Sequence, residues 1–190
     1  SASNGGSFAS GKVSYPTASG LVVNNSLSYT FDAMVDNGAY VAPTNSSPIN
    51  DDVESGTGIW TANPNTGANR FQISTNFPSS GANSWFAPNP ATAQDFTLAS
   101  TSVTLEGCSS LSFNHSYNFE ETWDGGTIEI STDNGASWQS LENAITQNGY
   151  PTQIAGNSGT SLQGMAAYSG NSNGYLNTIV DLSAFAGETI

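Results

Sequence analysis

The sequence predicts an all-β protein, an antiparallel β-sandwich of the jelly-roll type with long loops. Three observations lead to this prediction. One ten-residue segment alternates strictly between apolar and polar positions, as a half-buried strand does. Many other short apolar segments are separated by Gly, Pro and Asn, which is typical of sandwiches and barrels. No longer window carries the apolar stripe of a helix.

The alternating segment runs from residue 111 to residue 120. Its apolar positions, which should share the buried face, are Leu111, Phe113, His115, Tyr117 and Phe119. Ile128 and Ile130 repeat the alternation. The turn at residues 133–135 then follows, because Asp-Asn-Gly tolerates positive φ in a tight reversal, and Trp138 resumes an apolar position. This part of the chain therefore predicts a strand and a hairpin.

The remaining elements follow in chain order. Residues 1–20 are rich in Ser, Gly and Ala and are predicted to be a linker or N-terminal arm. Residues 21–190 are expected to form one domain that lacks its last strands. Segments 32–69 and 143–163 are predicted to be irregular, with Trp60 as an apolar anchor in the first. The short strands are predicted at residues 21–23, 27–31, 71–73, 85–86, 96–98, 103–105, 165–168 and 175–182.

Composition restricts the possible partners. Only 9% of the 190 residues are charged, and 15 acidic residues face only Lys12 and Arg70, which gives a net charge of -13. Uncharged polar residues must then provide solubility, which favours an extracellular or cell-surface location. The acidic balance argues against nucleic acid and anionic lipid as partners. No run of about eighteen apolar residues is present, so we expect no membrane span.

Several motifs occur in an order that resembles a known module. The segments are Phe31-Asp32, Trp60, QDFTLAS, LSFNHSYNFE, WDGG, IEISTDNGASW, NGY, AYSGNSNGY and VDLSAFAGETI. Over residues 29–190 this order resembles the bacterial extracellular choice-of-anchor J module, which is similar to MAM-type jelly rolls. The resemblance implies a place beside secreted peptidases or within large surface proteins. Two features depart from it: the stretch from Asp32 to Trp60 is longer, and the closing strands of the family would follow Ile190.

Acidic residues around glycine-rich turns suggest a calcium site. Calcium takes about six to eight oxygen ligands, which carboxylates and backbone carbonyls supply together. The candidate ligands are Asp32, Asp95, Glu120 and Asp124, with Glu121 next to them. The resemblance to the family implies the positions of Glu120 and Asp124. The alternative is that these acids are solvated, with Asp124 holding its own turn.

Four aromatic residues in loop-like surroundings suggest a glycan-binding surface, namely Trp85, Trp123, Tyr150 and Tyr175. Such rings stack on the apolar faces of sugars, while neighbouring amides bond to hydroxyl groups. The alternative is that the two tryptophans pack in the core or at its rim.

Catalysis is not expected. Residues 170–174 match the G-x-S-x-G pattern of hydrolases, but no helix is predicted after them. The sole histidine, His115, falls on the apolar face of the alternating strand, where a core imidazole is expected. We therefore expect a non-catalytic module for adhesion or substrate and glycan targeting within a larger secreted protein, stabilised by calcium. The alternative hypothesis is a structural subunit of an extracellular filament or surface layer, completed by a strand from a neighbouring identical chain.

Overall fold

The computed structural model describes residues 49–190. The predicted arm at residues 1–20, the strands predicted at 21–23 and 27–31, and Asp32 lie outside the described residues. In the described part, no helix is long and apolar enough to cross a membrane.

The described residues form short strands joined by turns and irregular segments, with almost no helix, which confirms the all-β prediction. The strands are β1 Trp60–Thr66, β2 Gln72–Ser74, β3 Ser84–Phe86, β4 Asp95–Ser100, β5 Ser110–His115, β6 Glu129–Ile130, β7 Gln139–Ser140, β8 Ile145–Gln147, β9 Thr152–Gln153, β10 Ala166–Ala167 and β11 Leu176–Asp181. Two single-turn 3₁₀ helices span Glu142–Ala144 and Ser183–Phe185. The strands pair antiparallel in five small sheets, β1-β4, β2-β3, β5-β11-β8, β6-β7 and β9-β10. Within residues 49–190 this pairing does not show a closed sandwich or jelly roll.

The central sheet is β5-β11-β8, and its alternation follows the sequence prediction. In β5 the odd-numbered residues are half-buried and the even-numbered ones are exposed. Strand β11 lies antiparallel beside it, with Leu176 opposite His115 and Asp181 opposite Ser110. Regular pairing ends at His115, earlier than predicted, and only Asn118 bridges to Asn171 beyond it. The burial alternation nevertheless continues to Glu120.

The predicted hairpin is present between β6 and β7. Asn134 and Gly135 have φ values of 57° and 81°, as the sequence predicted. The Asp133 carboxylate accepts hydrogen bonds from the Ser131 hydroxyl at 2.8 Å and the Ser137 hydroxyl at 2.6 Å. These bonds, those from Ser137 first, lower the pKa of Asp133 to about 2.

The expectation that Trp138 resumes a buried apolar position is wrong, because this side chain is 53% exposed. The β6-β7 ladder has only two residue pairs. The indole lies against the turn instead, since a Cβ added to Gly135 would be 3.6 Å from Trp138 Cζ2.

Both segments predicted to be irregular contain strands. β1 occupies residues 60–66 although it includes Pro64, because the register shifts between Pro64 and Thr66 and a bulge accommodates proline. Trp60 is half-buried at the start of this strand. β8 and β9 lie in the second segment. They have only three and two residues, and the nearby Gly and Asn residues predicted irregular structure instead.

The core under the central sheet is aliphatic at one end. It contains Leu105, Ile130, Leu141, Val180 and Leu182, each less than a tenth exposed. Residues 103–105 pair with residues 188–190 beside it, with Val103 and Ile190 exchanging two backbone hydrogen bonds of 2.8 Å. The last residues of the sequence therefore belong to a ladder with residues 103–105.

Candidate functional site

The chain leaves the alternating segment through a tight turn at residues 120–124, called here the exit turn. The backbone N–H groups of Trp123 and Asp124 both donate to the Glu120 carbonyl, at 3.1 and 3.0 Å. Thr122 takes a φ of 66°, its N–H donates to the Ser169 hydroxyl at 2.9 Å, and its carbonyl accepts from the N–H of Ala155 at 2.7 Å. Two distant segments therefore fix the exit turn.

The two glycines after the exit turn allow the backbones to approach closely. Gly126 and Tyr168 exchange two backbone hydrogen bonds of 3.0 and 2.9 Å. A Cβ atom at Gly125 would lie 2.8 Å from the Tyr168 carbonyl oxygen, closer than real Cβ contacts come. The WDGG motif thus serves the packing of residues 125–126 against β10 and the residues after it.

An aromatic cluster lies beside the exit turn, with Tyr168 at its centre. Its ring is 4.5 Å from His115, 4.7 Å from Tyr150 and 5.6 Å from Tyr117, measured between centroids. The hydroxyl of Tyr168 donates to the Asn148 carbonyl at 3.0 Å. The cluster therefore ties the β5 segment to the loops around residues 148 and 168.

His115 is half-buried on the apolar face of the alternating strand, as the alternation predicted. Its Nε2 lies 2.9 Å from the hydroxyl of Thr178, which is fully buried in β11. Burial lowers the pKa of His115 below 6.5, because the charged imidazolium loses hydration in this environment. The side chain is thus held neutral by its surroundings near physiological pH.

An open groove of about 360 Å³ lies next to the exit turn and the aromatic cluster. Its lining residues are Tyr117, Glu121, Pro151, Thr152, Ser169, Gly170 and Asn171. Glu121 is the only formally charged residue among them. Its side chain runs past Gly170, where an added Cβ would sit 3.6 Å from Glu121 Cγ. Among the described residues, the Glu121 carboxylate has no hydrogen-bond partner.

The predicted calcium ligands are not brought together within the described residues. Glu120 and Asp124 share the exit turn, but the Glu120 carbonyl already accepts from Trp123 and Asp124. Asp95 begins β4 and accepts from the Asn65 amide at 3.2 Å. No group of three His, Cys, Asp or Glu side chains with metal-binding spacing occurs in residues 49–190. Since Asp32 lies outside these residues, the calcium site stays a prediction.

The four predicted glycan-stacking residues have different environments. Trp123, on the exit turn, is 41% exposed, and Tyr175 is 42% exposed with its hydroxyl donating to the Phe77 carbonyl. Trp85 is half-buried in β3, and its buried Nε1 has no hydrogen-bond partner among the described residues.

Tyr150 is directed into the aromatic cluster. Its hydroxyl accepts from the Ile128 N–H at 2.6 Å, and burial raises the pKa of Tyr150 to about 12. Within residues 49–190, no ring contact or hydrogen bond joins any two of the four predicted residues. Trp123 is the one that shares its turn with a groove residue.

Ser172, from the G-x-S-x-G pattern, is engaged in backbone contacts. Its hydroxyl donates to the Gly174 carbonyl at 2.8 Å and accepts from the Tyr117 N–H at 2.9 Å. The chain continues into β11, where a nucleophile elbow would continue into a helix. These contacts give Ser172 a structural role in joining its turn to residue 117.

Sequence reasoning missed most of the groove. Pro151 and Thr152 come from a segment predicted to be irregular, and Ser169 to Asn171 follow a predicted strand. The motif NGY ends one residue before Pro151, and the motif AYSGNSNGY contains Ser169 to Asn171. Nothing local indicates that residues 151 and 170 line one groove, because only the pairing of distant segments places them there.

Comparison with known proteins gives no match. No family model matches the chain, and neither a curated protein nor a solved structure is similar to it. The resemblance to the choice-of-anchor J module therefore stays a prediction that depends on the motifs themselves.

Proposed function

We propose that the chain is a non-catalytic extracellular module of the choice-of-anchor J or MAM-like jelly-roll type, which serves adhesion or glycan targeting within a larger secreted protein. One observation carries the proposal: the indole of Trp123 is 41% exposed on a hydrogen-bonded turn that also supplies a wall of the groove. An exposed aromatic ring on a hydrogen-bonded turn is a surface on which a sugar ring can stack.

The lining of the groove supports a ligand rich in hydroxyl groups. Thr152 and the exposed Asn171 offer uncharged donors and acceptors, while Tyr117 and Pro151 complete the lining. With 9% charged residues in the whole chain, strong electrostatic steering by basic groups is absent from the sequence. Hydrogen bonding and stacking are then the main means of recognition.

Binding of purified protein to a panel of soluble polysaccharides tests this proposal. Trp123→Ala should weaken the affinity by about tenfold, corresponding to about 1–1.5 kcal/mol for a stacked ring. Trp138→Ala is the matched control, because this indole is also exposed but lies in the β6-β7 hairpin. Equal losses in both variants, or no binding by the wild type, would contradict the proposal.

Calcium stabilisation is a separate part of the proposal, motivated by the sequence. If Asp124 helps to hold calcium, a chelator lowers the melting temperature of the wild type and leaves that of Asp124→Ala unchanged. Glu142→Ala, an exposed acid in a 3₁₀ helix, is the control that should keep the response. An unchanged melting temperature in wild-type protein would exclude a stabilising calcium ion.

The filament hypothesis gains no comparable support. It supposes a last strand that comes from a neighbouring chain, and the pairing of residues 188–190 with residues 103–105 does not test that strand. It stays a prediction, which electron microscopy of native material tests.

A further inference from the structure

We infer that the groove beside the exit turn takes a sugar that carries a protonated amine, and that Glu121 is the residue that recognises the amine. The inference rests on the proposed glycan-binding function and specifies the chemical class of the sugar. It assigns a role to a carboxylate that the predicted stacking residues did not include.

The first step concerns the charge in the groove. Glu121 is its only formally charged lining residue, and no Lys, Arg or His is among the others. Its carboxylate makes no hydrogen bond or ion pair with the described residues, so its oxygen atoms are available to a ligand. A free carboxylate favours a donor that carries positive charge, because a charge-assisted hydrogen bond is about twice as strong as a neutral one.

The second step concerns the position of that carboxylate. The exit turn is fixed on both sides by backbone hydrogen bonds, from Thr122 to Ser169 and from Ala155 to Thr122. The stem of Glu121 lies beside Gly170, whose φ of 76° marks a tight reversal. The charge is therefore attached to a preorganised backbone, which reduces the ordering cost of binding.

The third step concerns the remaining walls. Tyr117 contributes part of an aromatic ring that also packs against the rings of His115, Phe119 and Tyr168. Thr152 and the exposed Asn171 can bond to hydroxyl groups, whereas the buried Ser169 hydroxyl is already bonded to Thr122 and Glu120. The volume of about 360 Å³ is at the lower end of ligand sites, which suits one or two sugar rings. A simple amine would leave the hydroxyl-bonding groups unused, so the amino sugar fits the walls better.

Isothermal titration calorimetry with two matched ligands tests the inference. The probes are a trimer of glucosamine, whose amines are protonated below neutral pH, and a trimer of N-acetylglucosamine, which has the same rings without the charge. We expect the wild type to bind the glucosamine trimer about tenfold more tightly, as one charge-assisted hydrogen bond predicts. Glu121→Gln should keep the affinity for the acetylated trimer and lose the preference for the free amine.

The control variant is Glu142→Gln, which removes the same charge from an exposed 3₁₀ helix outside the groove. It should keep the full preference, so equal losses in the two variants would assign the preference to the net charge and overturn the inference. A wild type that binds both trimers equally would also overturn it, while the proposed glycan function would stand. Failure to bind any saccharide would remove the proposed function and the inference with it. Trilysine binding as tightly as the glucosamine trimer would overturn the assignment to a sugar.

Discussion

The central sheet covers two interiors that differ in chemistry. At one end, the aliphatic core of Leu105, Ile130, Leu141, Val180 and Leu182 contains no side-chain polar group. At the other end, the same β5 and β11 strands pack on the aromatic cluster around Tyr168, where hydroxyl groups and an imidazole are paired by hydrogen bonds. The hydrophobic effect, which has no preferred direction, stabilises the first region. In the second region, directional hydrogen bonds hold the loops in position.

This difference indicates that the two regions have different roles. The aliphatic core is enclosed by the β6-β7 hairpin and the ladder of residues 103–105 with 188–190. The aromatic cluster reaches the surface through Tyr117, which lines the groove. We expect the first region to dominate stability and the second to control the shape of the groove.

The largest effect should come from the aliphatic core. Leu182 is 6% exposed and belongs to the core cluster, so Leu182→Ala should lower the free energy of unfolding by about 2–5 kcal/mol. Urea denaturation followed by tryptophan fluorescence measures this loss. A change below 1 kcal/mol, on the order of a surface substitution, would contradict the description of this region as the stabilising core.

A smaller effect is expected from the polar side of the aromatic cluster. Tyr168→Phe keeps the ring but removes the hydroxyl that bonds to the Asn148 carbonyl at 3.0 Å and lies 3.1 Å from the Thr178 hydroxyl. The free energy of unfolding should fall by about 1–2 kcal/mol, because the Asn148 carbonyl and the Thr178 hydroxyl each lose one hydrogen-bond partner. Tyr175→Phe is the control, because its hydroxyl also bonds to a carbonyl but the side chain is 42% exposed. If Tyr175→Phe lowers the free energy of unfolding by as much, burial does not explain the contribution of the Tyr168 hydrogen bond.

A third effect distinguishes the two regions by pH. His115 has a lowered pKa in the folded state, so the unfolded chain binds a proton more readily below pH 6.5. The contribution of His115 is therefore fully present above pH 6.5 and declines as the pH falls below that value. His115→Phe should remove this decline, while Leu182→Ala should keep it. Melting curves between neutral and mildly acidic pH compare the slopes, and parallel slopes in all three proteins would exclude His115 as the cause.

The smallest effect should appear at lower pH, on the aliphatic side. The pKa of Asp133 is lowered to about 2 by its bonds to Ser137 and Ser131. Its contribution is thus present above pH 3.8 and lost as the pH falls through about 2. Asp133 is solvent-exposed, so the change in stability with pH is small. Asp133→Asn should remove this pH dependence. NMR titration of the carboxyl group gives the pKa directly, and a value near 3.8 would contradict the proposed bonds.

Local patterns allowed several features to be predicted. The alternation in β5, the positive φ values of Asn134 and Gly135, and the absence of long helices from residues 49–190 all follow from short-range sequence. The same patterns failed for β1, where Pro64 suggested irregular structure, and for Trp138, which the alternation placed inside. The bulge in β1 and the short β6-β7 ladder depend on the partner strands. The local sequence pattern carries no information about those partners.

The sequence by itself determined the β class and the half-buried face of β5 that carries His115, because alternation and turn chemistry act over a few neighbouring residues. Tertiary structure decided which segments meet. It placed Glu121 beside Gly170 and Pro151 near Asn171, and it left Trp123 exposed while directing Tyr150 inward. Such meetings depend on pairing between residues about 20 to 50 positions apart, as in the bonds from Tyr150 to Ile128 and from Thr122 to Ser169, and no single segment encodes them.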